Sequence, residues 1–306
     1  MTPARISAIL RNRQIVFWLC GALICVIFWT ALRALITLSI GDERYSYILA
    51  IPFLSAGLFY LETRHGLKET GYNLRTGAPV TLGGLGLFMV FKTWSGNLSI
   101  AIAGFVLVWI GLFISCYGTT AFRSARFPLL MLFLIVPIPD FILDKMVAAL
   151  QAGSADVSYG LFHLAGVPVF RHGAILSVPG VDVEIAPQCS GIRSTMALFV
   201  SSVVLGEVLL TSGWGKFLLV LFVGPIGILR NAIRIVTVTL LGAYVNKDFL
   251  FGNVHHRGGP VFAVIGFALL IPIVSLLRSC ERRMSSRRGL FPRTGPVRGG
   301  EAGFVE

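Results

Sequence analysis

Nothing constrains this chain more than its apolar runs. They cover about 15–40, 46–61, 78–93, 97–117, 127–150, 193–211, 216–245 and 259–277. A helix needs about 20 apolar residues to cross a bilayer core, and only the runs at 46–61 and 78–93 fall clearly short of that. A water-soluble fold has no place for so much apolar surface. Hydrophobic residues are 55% of the chain and charged residues 13%, and the mean hydropathy is +0.81. The expected fold class is therefore an all-α integral membrane helix bundle of about eight transmembrane helices, one membrane domain over residues 1–277.

The charge of +12 then reads as topology and not as a nucleic-acid surface. With eight spans, the basic residues of five separate segments fall on one side. They are Arg5, Arg11 and Arg13; Arg64, Lys68 and Arg75; Arg123 and Arg126; Lys216; and Arg278, Arg282, Arg283, Arg287, Arg288, Arg293 and Arg298. The positive-inside rule makes that side cytoplasmic, with both termini on it. Residues 41–45, 151–192 and 246–258 face outward. The run at 15–40 is too long for a signal-peptide core and is read as a retained first helix of a plasma (inner) membrane protein. Residues 278–306 read as a basic, disordered cytoplasmic tail lying near anionic lipid heads.

The outward segment 151–192 is expected to be a loop. Within it, Val181-Asp182-Val183-Glu184-Ile185 alternates apolar and acidic residues, and Pro179-Gly180 separates it from a β-rich run at 174–178. That pattern predicts a small extracytoplasmic β-hairpin. It leads straight into Ala186-Pro187-Gln188-Cys189-Ser190-Gly191-Ile192-Arg193, at the mouth of the sixth span.

Three polar groups converge on the outer half. Cys189 and Arg193 form the first. Arg230, Asn231 and Arg234 form the second, inside a span where a charge costs several kcal/mol and so normally has a task. His255 and His256 form the third. The plainer readings are a packed thiol, an arginine paired with Asp140 or Asp144, and solvated histidines. What favours chemistry is that all three lie on one side. A thiolate is a nucleophile and nearby positive charge favours it. Histidine moves protons near neutral pH, and arginine stabilises an oxyanion. The five cysteines show no paired spacing and there is no HExxH, so neither a disulfide framework, nor a metal site, nor any cofactor is expected.

These residues resemble the exosortase/archaeosortase family of membrane sorting transpeptidases. The likeness rests on Cys189-Ser190-Gly191-Ile192-Arg193, on Asn231-Ala232-Ile233-Arg234, and on the His255-His256 pair before the last span, in that order. The resemblance implies a cysteine peptidase acting on secreted proteins that carry a C-terminal Pro-containing motif, a membrane helix and a basic tail. Cys189 would form an acyl-thioester, Arg234 would serve as proton donor or oxyanion partner, and His255 or His256 would stabilise the transition state. Arg193, Arg230 and Asn231 are candidates for holding the substrate. A transporter with an intramembrane arginine site, a thiol-dependent lipid acyltransferase and a purely structural assembly protein are the competing readings. The lack of an internal repeat counts against the transporter.

Overall fold

The computed structural model describes residues 3–64, 71–179, 181–244 and 259–289. It is a helix bundle with one small sheet, as the apolar runs require. Among the described residues, helices long and apolar enough to cross a membrane number six, or up to eight if each of two bent pairs is one span.

The first bent pair is α1 (Pro3–Ile27) and α2 (Trp29–Gly41), which meet at 73°. The sequence predicts one straight span over 15–40, and no glycine or proline marks the break. Phe28 sits at the bend, fully buried, with its ring 4.1 Å from Phe88 and 5.6 Å from Phe105. The second span begins with a 3₁₀ segment (Glu43–Ala50) and continues as α3 (Ile51–Thr63). Asp42 caps it by accepting from the Arg44 N–H. α4 (Leu74–Val90) is capped by Asn73. Both caps lie outside the apolar runs, which explains why these spans exceed the lengths that hydropathy gives them.

α5 (Leu98–Ser124) runs antiparallel to α4. Small residues let the two backbones close on one another. A Cβ at Gly84 would lie 2.6 Å from the Gly104 carbonyl, and one at Gly77 would lie 2.6 Å from the Ser115 N–H nitrogen. Gly118, at φ 90° and ψ 170°, interrupts α5 where the apolar run ends. The chain turns there and returns through α6 (Arg126–Met131) and a 3₁₀ turn (Leu132–Ile135).

The single span expected at 127–150 is broken. Pro137 and Pro139 hold extended backbone, and α7 (Asp140–Leu164) leaves at 88° to the segment before it. α7 also runs well past residue 150, into the stretch expected to be a loop. Next comes a three-stranded antiparallel sheet, β1 (Phe170–His172), β2 (Ile175–Val178) and β3 (Val181–Glu184), in the order β1-β2-β3. The predicted hairpin is its β2–β3 half, with Val178 opposite Val181. A 3₁₀ turn (Pro187–Ser190) enters α8 (Ile192–Leu209).

α9 (Gly213–Leu221) and α10 (Val223–Tyr244) form one 32-residue span. Pro225 falls in the first turn of α10, where a missing N–H does no harm. α11 (Gly259–Gly289) is the last helix among the described residues, and it carries residues 278–289, expected to belong to a disordered tail, as a continuation of the final span.

Side-chain contacts define the two ends of the bundle. At one end Arg13 stacks over Tyr72 and Asn73 N–H donates to the Ser115 carbonyl. At the other, Ser99 donates to Pro137, Tyr45 to Ile138 and Asp140, and Arg193 pairs with Glu43. Cys189 belongs to this second end. At 1.5 Å per residue α9–α10 measures about 48 Å, against a hydrocarbon core of roughly 30 Å. The excess length of α10 is covered by a separate apolar core. Ala155 and Phe162 of α7, Leu176 and Val178 of β2, Ile185, and Ile235 and Val236 of α10 build it. α7, the sheet and the last turns of α10 thus form a cap over the end that carries Cys189.

Candidate active site

The turn bearing Cys189 is tied down by its own backbone and by α10. Cys189 N–H donates to the Ala186 carbonyl at 2.8 Å. The chain then reverses into α8 through Gly191, at φ 75°. Only glycine takes that conformation without strain, and a Cβ there would lie 2.7 Å from Arg230 Nη2 and 3.0 Å from Asn231 Oδ1. The Gly191 carbonyl begins α8 by accepting from Thr195 N–H, Thr195 Oγ1 and Ser194 Oγ. The free N–H groups of the first turn of α8 therefore lie just beyond the thiol.

Asn231 is fully buried. Its Nδ2 donates to the Cys189 carbonyl at 2.8 Å and to Ser154 Oγ at 3.0 Å. Arg230 is 2% exposed, and its Nη2 donates to the Gly191 carbonyl at 3.2 Å. Its aliphatic stem passes α11, where a Cβ at Gly266 would lie 3.1 Å from Arg230 Cδ. Gln151 of α7 donates from Nε2 to the Ile185 carbonyl, just ahead of the turn. Polar groups from α7 and α10 thus hold the turn from both sides.

Cys189 is half-buried and opens on a cavity of about 50 Å³. Val183, Glu184 and Ile185 line it from the sheet side. Asn231, Arg234, Ile235, Val238 and Thr239 line it from one face of α10. Around it, the buried Ser190 Oγ, Arg230 Nε and Nη1, and Asn231 Oδ1 have no hydrogen-bond partner among the described residues. An unpaired buried polar group costs about 1–3 kcal/mol, so such a cluster fits a site completed by something that enters it.

The residues singled out in the sequence divide into three groups. Cys189, Asn231 and Arg234 line one cavity. Arg230 lies directly behind the Cys189 turn. Arg193 is elsewhere: it is 61% exposed in an ion pair with Glu43 at 3.1 Å. One residue past the start of α8, it projects away from the thiol. His255 and His256 lie outside the described residues. No cluster of metal-ligating side chains occurs among the described residues. Ser154, Gln151 and Glu184 were not anticipated as part of the site. Gln151, Ser154 and Ser158 recur three and four residues apart, the spacing of one helix face. That signal would have found them had 151–164 been read as helix.

A family model described as transmembrane exosortase matches residues 37–272, from α2 to α11. No curated protein and no solved structure matches the chain. The matched stretch is well over half of the sequence and contains every side chain described around Cys189. The chain belongs to the transmembrane exosortase family of integral membrane transpeptidases, which act on secreted proteins bearing C-terminal sorting signals.

Proposed function

We propose that this protein removes C-terminal sorting signals from secreted proteins by thiol catalysis at Cys189, on the extracytoplasmic face of the plasma membrane. The observation that carries the reading is the cavity shared by Cys189, Asn231 and Arg234 at the N-terminus of α8. The Cys189 Sγ attacks the carbonyl carbon of the scissile peptide bond. The carbonyl oxygen takes up the charge, and Arg234 stabilises it. The C–N bond then breaks, and the proton given up by the thiol passes to the departing amine through His255 or His256. An amine or water attacks the resulting thioester, releases the protein and restores the thiol. Arg230 and Asn231 act on the enzyme's own chain, as positioning residues that hold the Cys189–Gly191 carbonyls. The substrate's membrane helix and basic tail place its cleavage site at the membrane surface beside the cap.

The test is a secreted reporter carrying a Pro-containing motif, an apolar helix and a basic tail, produced with wild-type protein, Cys189→Ala or Arg234→Ala. Shortening by wild type alone is the expected outcome. Shortening that persists in Cys189→Ala removes the nucleophile assignment and brings the transporter reading forward.

A further inference from the structure

Among the described residues β3 is an edge strand. It pairs with β2 along one side, from Val178–Val181 to Ile175–Glu184. Along the other side, among the described residues, no backbone group outside the sheet bonds to Val181, Asp182, Val183 or Glu184. Proteins usually cover or blunt such an edge, because a row of free N–H and C=O groups is a template for another strand. Here the strand leads into the Cys189 turn within a few residues, and Val183, Glu184 and Ile185 line the Cys189 cavity.

The opposite wall of the cavity is equally regular. Asn231, Arg234, Ile235, Val238 and Thr239 occupy one face of α10 over about 12 Å. An extended chain of three to four residues, at roughly 3.3 Å each, spans that distance. Arg234 and Asn231 stand at the Cys189 end; Val238 and Thr239 stand at the far end.

We propose that the substrate's segment at the cleavage site binds in extended form as a fourth strand on the free edge of β3, along α10, with its scissile carbonyl delivered to Cys189. The proposal rests on the reading of Cys189 as nucleophile and adds how the substrate is held. Main-chain hydrogen bonds supply affinity that is independent of sequence, and pockets for alternate side chains supply selectivity. The cavity of about 50 Å³, walled mainly by Val183, Ile185, Ile235 and Val238, has room for one small apolar side chain next to the scissile bond. Larger side chains fall on the open face, where Asp182 is exposed.

The experiment uses full-length protein carrying Cys189→Ala, so that the reporter accumulates uncut and the native thiol does not compete. Asp182→Cys is introduced on β3, or Arg171→Cys on the opposite edge strand β1 as the control. Single cysteines are placed at successive reporter positions around the cleavage site, and disulfides are scored in membranes. Strand addition predicts cross-links from position 182 at every second reporter position, and at least fivefold fewer from position 171. Cross-links that appear at all positions alike, only from position 171, or at none would overturn the proposal. Asp182→Cys on a wild-type Cys189 background is scored for reporter shortening in parallel. Retained shortening shows that the sheet is folded, so a failed cross-linking pattern then counts against strand addition and leaves the nucleophile assignment standing.

Discussion

At the residue scale, Asn231 separates catalysis from packing. It donates to the Cys189 carbonyl and to Ser154, and it is fully buried. Asn231→Asp keeps the shape but puts a carboxylate oxygen where the donor stood. The Cys189 carbonyl is left without its partner, a loss of roughly 1–3 kcal/mol. If that loss falls on the transition state, reporter processing slows by about fivefold to a hundredfold. The two explanations part on the chemistry of the replacement. Asn231→Gln keeps an amide donor and should retain more processing than Asn231→Asp. Equal loss in the two variants means that the substitution acts by disrupting packing. This asparagine and Arg234 were legible in the sequence because a polar residue within an apolar run must be accounted for, and Cys189 was legible from its place in Cys189-Ser190-Gly191-Ile192-Arg193 at the mouth of the sixth span. Arg193 was misleading for a geometric reason. Adjacent residues on a helix point about 100° apart, so nearness to Cys189 in sequence does not carry the side chain to the thiol.

At the scale of elements, the α4–α5 pair is the tightest contact of the bundle. Gly84 faces the Gly104 carbonyl and the Val108 N–H, while nothing lies within 4 Å of a Cβ built on Gly86, two residues on. Without a hydrophobic drive between helices in lipid, close backbone packing at small residues supplies the association. Gly84→Leu should force the helices apart and destabilise the protein by about 1–3 kcal/mol. Gly86→Ala should be neutral, or stabilising by up to about 1 kcal/mol through helix propensity. Unfolding of the two variants in detergent checks the difference, and equal midpoints would show that the interface does not depend on Gly84. Spans of this kind are legible because hydropathy reports burial in lipid whatever the partner. Their breaks are legible only when a proline makes them. Pro137 and Pro139 mark one bend in the sequence, although the run at 127–150 looked continuous. Phe28 marks the other through its packing against Phe88 and Phe105, which no local pattern reveals.

At the scale of the whole molecule, the cap decides how the thiol meets its surroundings. Its core joins α7, the sheet and the end of α10, and it was hidden in the sequence because the polar and turn residues at 163–172 made the whole of 151–192 read as a loop. Phe162 is completely buried in this core. Phe162→Ala should weaken it by about 3–5 kcal/mol, which is enough to loosen a small core while the bundle stays inserted. The native cysteines measure both the cap and the orientation. Cys189 is half-buried at one end of the bundle, and Cys280 is exposed near the other end of α11. There Glu281 accepts from the Thr211 and Ser212 N–H groups. With Cys20, Cys25 and Cys116 replaced by Ala, a membrane-impermeant maleimide added to intact cells should label Cys189 slowly and leave Cys280 untouched until the cells are opened. In Phe162→Ala, labelling of Cys189 should accelerate severalfold while Cys280 stays protected, and reporter processing should fall. Labelling of Cys280 in intact cells would invert the orientation and place the thiol in the cytoplasm, where a secreted substrate does not present its cleavage site. Unchanged Cys189 labelling in Phe162→Ala would mean that the bundle alone shields the thiol, and the cap would then matter only as the carrier of β3.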